Sequence, residues 1–372
     1  MKLLIITEGY YPYNGGLEKI VTEIAEGLNQ KSAYEVEVMT TTKERNGYTE
    51  NVHGIKVTYV PLSILHGKTK FVQELILARK SMKRILKSKY DFVSLQYMGY
   101  LAAIFNTLKP KVKYSISIHG TDVTSKKGNV VKIIQQQIVN NASVVISNSQ
   151  YLADELEKKI DCQLQAKLTV IWNGIHLENY KTVANLTTDN TIVSVGRFVY
   201  KKGFDVLIKA FEKVKQACPD AKLVLAGDGV EKTKCEKLAK ELNIIDSIEF
   251  LGMIPNKEIA DVFSRGKIFV CPSRNEPFGI VILEAMAMGI PVIATDSGGV
   301  REIVEDNCYG YIIPIEDSDI LAKRMIDLLD SNSKCLELRR KGLERVKQFS
   351  IERVIEKYDL LFRKQVEKLY EY

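Results

Sequence analysis

Short runs of aliphatic, β-branched and aromatic residues recur along this chain of 372 residues, separated by stretches with helical spacing, and the cycle runs twice. The first cycle places strands at 3–7, 35–40, 55–60, 92–96, 114–119 and 143–147, with a helix at 17–28. The second places them at 191–195, 223–226, 247–251, 268–271 and 291–294. Apolar runs of this length between helices predict parallel sheets covered on both faces. The polar stretch YKTVANLTTDN at 180–190 separates the cycles and reads as a linker. The length suits two domains of roughly 150–200 residues, and 45% hydrophobic residues can fill two cores. The expected fold class is therefore α/β, with two doubly wound Rossmann-like domains facing a cleft. Ligands of such sheets bind where strands end and helices begin.

No run of 18 apolar residues occurs, so no transmembrane helix is expected. The start, MKLLIITEGYY, meets Glu8 too soon for a signal peptide and reads as a buried strand. Six cysteines without metal spacing read as reduced thiols of a cytoplasmic protein. The net charge of +7 sits in the first half: residues 1–180 hold 23 Lys and Arg against 16 Asp and Glu, and the rest is balanced. Within that half, 66–90 carries eight basic residues and one acid, with Phe71, Leu75, Ala78, Met82 and Ile85 at helical spacing. Such a basic amphipathic helix either packs on a core with a solvated lysine face or meets an anionic surface, such as the inner face of a cell membrane or a phosphorylated acceptor. No nucleic-acid partner is expected.

The segment CPSRNEPFGIVILEAMAMGIPVIATDSGGVRE at 271–302 carries the most chemistry. Glu276 and Glu284 flank an apolar run containing Pro277, Phe278 and Gly279. Pro277 is expected to open a helix, because proline at the first turn sacrifices no intrahelical bond. The free N–H groups of Gly279, Ile280 and Val281 would then form an anion site. Glu284 follows within reach of hydroxyls on the same ligand. Phosphate at one end and a sugar or ribose at the other point to a nucleotide-sugar.

This segment resembles the signature of the retaining family 4 glycosyltransferases of GT-B fold. Glu276, Glu284, the turn at 289–291 and the Ser297-Gly298-Gly299 loop fit that pattern without a gap. The resemblance implies that the last helix crosses back onto the first domain. The expected division is thus 1–183 with 353–372 as the acceptor-binding domain, and 184–352 as the nucleotide-sugar domain.

Other motifs fall at predicted strand ends. Asn14-Gly15-Gly16 lies between the first strand and a helix, where glycines allow close approach to a phosphate or sugar; otherwise it is a tight turn. It looks like the family's glycine pair near the donor phosphates and the acceptor. His119-Gly120-Thr121-Asp122 closes a strand, and His119 matches the position beside the transferred sugar, with Asp122 on the acceptor side or shaping the loop. Gly196-Arg197 and Lys202-Gly203 match the family's pattern of two cations that neutralise a diphosphate. Gly227-Asp228-Gly229 looks like a turn near the nucleotide, or one that is only structural. Ser147 or Ser149 is expected to cap a helix, and Asp317-Ser318-Asp319 to cap another rather than bind a metal.

The expected reaction is retaining glycosyl transfer from a nucleoside-diphosphate sugar, UDP-sugar favoured, to a glycan or lipid-linked acceptor, with no metal and no cofactor. The family implies front-face attack, the leaving phosphate taking the acceptor's proton. Arg197 and Lys202 would stabilise that phosphate, Glu284 the ribose and Glu276 the sugar. Competing readings are a transferase acting on a soluble or protein acceptor, a glycoside hydrolase and a nucleotide-binding module. A retaining hydrolase needs carboxyl groups about 5–5.5 Å apart, whereas eight helical residues span about 12 Å. A dinucleotide-binding G-x-G-x-x-G is missing from 8–20.

Overall fold

Strands β1 (Lys2–Thr7), β5 (Phe92–Gln96) and β6 (Tyr114–Ile118) are buried along almost their whole length, which is why they carry so few charged side chains. The structure, a computed structural model, describes residues 1–13, 15–44, 46–62, 68–125, 128–183, 189–305 and 307–367, apart from the side chains of 68, 69 and 256. It divides into two units, Met1–Asn173 with Glu352–Tyr372, and Gly174–Ile351.

The first unit runs β1, α1 (Gly16–Asn29), β2 (Glu35–Thr42), β3 (Tyr48–Val52), β4 (Ile55–Pro61), α2 (Lys68–Ile85), β5, α3 (Tyr100–Leu108), β6, α4 (Thr121–Thr124), α5 (Asn129–Asn141), β7 (Val144–Ser147), α6 (Gln150–Ile160) and β8 (Leu168–Val170). Its sheet has the order β3-β4-β2-β1-β5-β6-β7-β8. Every pairing is parallel except β3 with β4. The order reverses at β1, so the switch point lies between β1 and β5. Strand β3 was not expected: YTENV is largely exposed and lacks an apolar run. It forms because His53 (φ 50°) and Gly54 (φ 84°) make a tight hairpin with two left-handed residues.

Helix α2 packs as its spacing requires. Ala78 and Met82 are buried, and Phe71, Leu75 and Ile85 lie against the core. Lys80, Lys83, Arg84 and Lys87 are exposed. So are Val72 and Ile76, at 56% and 51%, which the core-facing spacing did not anticipate.

The second unit runs β9 (Thr191–Val195), α7 (Phe204–Ala217), β10 (Lys222–Ala226), α8 (Lys232–Glu241), β11 (Ile248–Gly252), α9 (Ile259–Ser264), β12 (Ile268–Cys271), α10 (Ile280–Ala287), β13 (Val292–Thr295), α11 (Arg301–Val304), β14 (Tyr311–Ile313), α12 (Ser318–Leu329) and α13 (Asn332–Val346). Its sheet, all parallel, has the order β11-β10-β9-β12-β13-β14, with its switch between β9 and β12. From Glu352 on, α14 (Ile351–Glu367) belongs to the first unit. There Phe362 packs on Phe92 with ring centroids 5.1 Å apart, and Tyr34 donates to Asp359 across 2.8 Å.

The division falls at 173/174, ten residues before the expected 183/184. The segment 174–183 is tied into the second unit. Ile175 bridges to Ser350, the Val183 N–H donates to the Met288 carbonyl, and the Thr182 hydroxyl donates to the Ala287 carbonyl. Part of the predicted linker, 184–188, lies outside the described residues.

Candidate active site

Four loops of the second unit leave the C-terminal ends of β9, β10, β12 and β13, around the switch point. Their glycines are dictated by backbone contact. Gly227 has φ 134°, and a Cβ there would stand 1.9 Å from the Gly196 carbonyl oxygen. Gly203 has φ 66°, and its Cβ would stand 2.1 Å from the Pro272 carbonyl oxygen. With these side chains absent, the loops lace together. Phe198 N–H donates to the Asp228 carbonyl at 2.9 Å, and Arg274 N–H to the Lys201 carbonyl at 2.8 Å. Asp228 spends one carboxylate oxygen on the N–H of Gly229, at 2.7 Å.

This lacing puts Lys202 beside Glu276. Lys202 Nζ lies 2.5 Å from Glu276 Oε2, which also accepts from Ser273 Oγ at 3.3 Å. Both side chains are largely buried. Burial works against the Lys202 ammonium, but the Glu276 charge and hydrogen bond outweigh it and hold the ammonium above the ordinary lysine range. Lys201 behaves oppositely: burial, then repulsion from Lys202 and Arg197, pulls it below that range. Arg197 itself is exposed. Arg197 and Lys201 thus add positive charge beside the Lys202–Glu276 pair, an arrangement that an anion would relieve.

Arg274 was not singled out from the sequence, yet it braces this region. Its guanidinium is bidentate to Asp205 at 2.8 and 2.7 Å and pairs with Glu316. It also donates to the Tyr200 carbonyl at 2.7 Å and stacks 4.1 Å from the Tyr200 ring. A lone arginine in PSRNEP gives no sign of this, because its partners lie 42 and 69 residues away.

The helix after this loop starts later than expected. It opens at Ile280, not at Pro277, because Gly279 takes φ 108° as its N-cap and turns the chain only there. Among the described residues nothing accepts from the N–H groups of Gly279, Ile280 or Val281; the Ile282 N–H is taken by the Gly279 carbonyl at 2.9 Å. The Phe278 ring is buried against Phe349, with centroids 6.1 Å apart, so that side chain packs inside the unit. One turn into α10, Glu284 is buried and accepts from the Tyr180 hydroxyl at 2.7 Å. The Ser297-Gly298-Gly299 loop closes on the other glutamate, with the Gly299 N–H 3.0 Å from the Glu276 carbonyl.

In the first unit, His119 directly follows the last residue of β6. Its Nε2 lies 3.0 Å from Gln96 Oε1, and burial pushes the imidazole down to about 4 against the pull of Asp122. Asp122 is fully buried and shapes the loop: Oδ1 accepts the N–H groups of His119 at 3.2 Å and Gly120 at 2.9 Å. Gly15 is the N-cap of α1 and Gly16 its first residue. A Cβ on Gly15 would strike the Glu18 carboxylate, whereas one on Gly16 would meet nothing within 4 Å. Asn14 lies outside the described residues. Ser149 caps α6, accepting from the Leu152 N–H at 3.1 Å.

Two family profiles match the chain in succession: Glycosyltransferase Family 4 over residues 14–179, and Glycosyl transferases group 1 over 178–345. The chain belongs to glycosyltransferase family 4. Its similarity to known members runs through both units. The gpi3 subunit of phosphatidylinositol N-acetylglucosaminyltransferase from Schizosaccharomyces pombe is 25% identical over 341 residues, 89% of this chain and 74% of that protein. Sucrose-phosphate synthase from Thermosynechococcus elongatus shares the fold with a TM-score of 0.83 at 23% identity, covering 99% of each chain. HepE from Anabaena, solved with UDP and glucose, has a TM-score of 0.79 at 20% identity, covering 98% of this chain and 99% of that one. The fold of this glycosyltransferase is GT-B, two Rossmann-like units with parallel sheets.

The glycosyltransferase's one Asp-X-Asp string lies at the start of α12. Asp317 caps α12 by accepting the Ile320 N–H at 2.8 Å, and Asp319 pairs with Lys213. All six cysteines are free thiols. No helix among the described residues is long and apolar enough to cross a membrane.

Proposed function

We propose that this glycosyltransferase moves a hexose or N-acetylhexosamine from a UDP-sugar to a glycan or lipid-linked acceptor, with retention and without a metal. The observation that carries the donor assignment is the set of cations Arg197, Lys201 and Lys202 at the switch point of the second sheet, where Lys202 pairs with Glu276 and repulsion from Lys202 and Arg197 acts on Lys201. A diphosphate supplies the missing negative charge. Fixed cations at a departing diphosphate act most strongly in the transition state, where that charge develops. They serve in place of the divalent ion that other transferases recruit.

The unpaired N–H groups at the start of α10 take phosphate oxygens. Glu284, held by Tyr180, accepts from the ribose hydroxyls, and Glu276, held by Lys202, accepts from those of the sugar. His119 serves the transferred sugar, and Gly15 and Gly16 the phosphates. Arg274 touches no substrate in this scheme; it fixes the turn that carries Lys202. The acceptor hydroxyl attacks on the face from which the diphosphate leaves, and a phosphate oxygen takes its proton. UDP is favoured by HepE, solved with UDP and glucose, and an N-acetylhexosamine on a lipid by the name of the gpi3 relative.

The exposed face of α2 supports a lipid-linked acceptor. Val72 and Ile76 precede Lys80 and Lys83 on one stripe of the helix, with Lys87 just past its end, an apolar edge beside a basic one that suits an anionic membrane surface. Vesicle binding that rises with anionic lipid and falls with salt is the expected behaviour.

The test is thermal stabilisation by UDP-, GDP-, ADP- and dTDP-sugars with a chelator present. Stabilisation by the UDP-sugars, lost in Arg197→Ala and Glu284→Ala, is expected. A folded protein that responds to none, or whose variants respond as the parent does, would sink the donor assignment. Once an acceptor is found, the product's anomeric configuration decides retention.

A further inference from the structure

The polar residues Ser94 and Gln96 alternate with Val93 and Leu95 along β5, and Ser115 and Ser117 alternate with Ile116 and Ile118 along β6. Both sets point to one face of the sheet, since side chains of a strand alternate. The register sets Ser94 beside Ser115 and Gln96 beside Ser117, and His119 continues the β6 row. Ser94, Gln96 and Ser115 are completely buried. Tyr358 of α14 lies over this face, its hydroxyl close to Ser117 and Gln96.

These groups form a directed chain. Ser115 Oγ donates to Ser94 Oγ at 3.1 Å, and Gln96 Nε2 donates to the same oxygen at 2.9 Å. The amide nitrogen of Gln96 is thereby committed, so its carbonyl oxygen faces His119 Nε2 at 3.0 Å. A carbonyl only accepts, so Nε2 carries the ring proton and Nδ1 is left as the acceptor. Asp122 is the charged group facing this histidine, and its Oδ1 is spent on backbone N–H groups. No other described side chain orients the ring.

The backbone beyond Gln96 is held in a costly conformation. Tyr97 has φ 126°, a region that residues with a side chain rarely adopt. It is fixed there by its N–H to the Ser117 carbonyl at 3.1 Å and by its hydroxyl, 3.2 Å from Thr121 Oγ1. Strain of this kind persists where the surroundings over-determine it, and it gathers at functional sites.

We infer that Gln96 is a positioning residue for glycosyl transfer: it locks the His119 imidazole in the Nε2–H tautomer, so that Nδ1 accepts a hydrogen bond from a hydroxyl of the transferred sugar. This rests on the proposed assignment of His119 to that sugar. Burial keeps the imidazole neutral at working pH, as an acceptor must be.

The test uses the full chain and the UDP-sugar that stabilises it most, following slow UDP release by hydrolysis, which needs no acceptor. Imidazole tautomers are read by nitrogen-15 NMR. The parent should show Nε2–H. Gln96→Leu should shift His119 toward Nδ1–H and lower kcat about tenfold, with the donor KM within about twofold. Gln96→Glu should keep Nε2–H and move the acidic limb of the rate profile upward by about one pH unit, because a carboxylate favours the imidazolium. A purely structural Gln96 would move stability but not that limb. In a His119→Asn background the kcat effect of Gln96→Leu should vanish. An Nδ1–H parent, an unmoved tautomer in Gln96→Leu, or a kcat loss that adds to that of His119→Asn overturns the inference. If tautomers respond as stated but His119→Asn leaves kcat intact, the inference falls through its foundation, the assignment of His119 to the sugar. If Gln96→Leu does not fold, Gln96→Glu alone carries the pH test.

Discussion

The Tyr180 hydroxyl donates to Glu284 Oε1 across 2.7 Å, joining a residue that precedes the second sheet to the buried glutamate of α10. Tyr180→Phe removes this bond and keeps the ring. A hydrogen bond to a charged group contributes about 1.5–3 kcal/mol, so denaturant titration should show a loss in that range. If Glu284 binds the ribose, the donor KM should rise several-fold while kcat changes little. An unchanged KM in the folded variant would remove Glu284 from the donor site.

Breaking the Lys202–Glu276 pair from one side should cost more than removing both partners. A half-broken buried pair costs about 3–5 kcal/mol, and partial exposure reduces this toward about 2. Lys202→Met and Glu276→Gln should each destabilise, and the double variant should recover part of the loss in a double-mutant cycle. UDP-sugar hydrolysis should stay lost in the double variant, since stability returns but the cation does not. Additive losses of stability would mean that the two groups are uncoupled.

Two glycines should separate structure from function. Gly227→Ala sets a methyl 1.9 Å from the Gly196 carbonyl oxygen, and should lower the melting temperature sharply or prevent soluble expression. Gly16→Ala meets nothing within 4 Å, and the fold should tolerate it with its melting temperature unchanged or raised. If Gly16 approaches the donor phosphates, the same change should weaken donor affinity, measured by calorimetry. An active Gly16→Ala enzyme with the parent's affinity would exclude that contact.

His119 should make stability depend on pH above the range of the carboxylates. Burial lowers the folded imidazole to about 4, whereas an unfolded histidine titrates near about 6.5. Between these values the unfolded chain binds the extra proton, so stability falls as pH is lowered through the window, by at most about 3 kcal/mol. Asp205, Glu316 and Asp359 are held below their ordinary values, so their contributions are lost only under more acidic conditions. Melting curves from pH 4.5 to 7.5 should show a slope that His119→Gln flattens. A parallel slope in the variant would mean that the imidazole titrates normally.

The sequence by itself determined the secondary structure that depends on local pattern. Short runs rich in aliphatic, β-branched and aromatic residues between helical stretches read as strands buried on both faces, and two cycles of them make two sheets. Glycines before a helix, Ser149 and Asp317 announced turns and caps, because those preferences are set by a few neighbouring atoms. The spacing of Glu276 and Glu284 named the family for the same reason: the loop and helix between them are one local unit. Strands β3, β8 and β14 and the start of α10 were not legible. The three strands lie at sheet edges, each held by a single neighbour, and the helix start is set by Gly279, whose left-handed backbone delays the helix that Pro277 would permit.

Only the tertiary structure decided which partners these residues meet. Tyr180 looked like linker and holds Glu284, 104 residues away. Arg274 looked like a loop arginine and braces the turn of Lys202. Gln96 and Ser94 left one trace, a polar residue at every second position of a buried strand, but their meaning depends on β6 lying alongside in a register that brings His119 to Gln96. Hydrogen bonds and ion pairs act over a few ångströms, and the chain separation that brings two groups so close is set by packing of the whole unit.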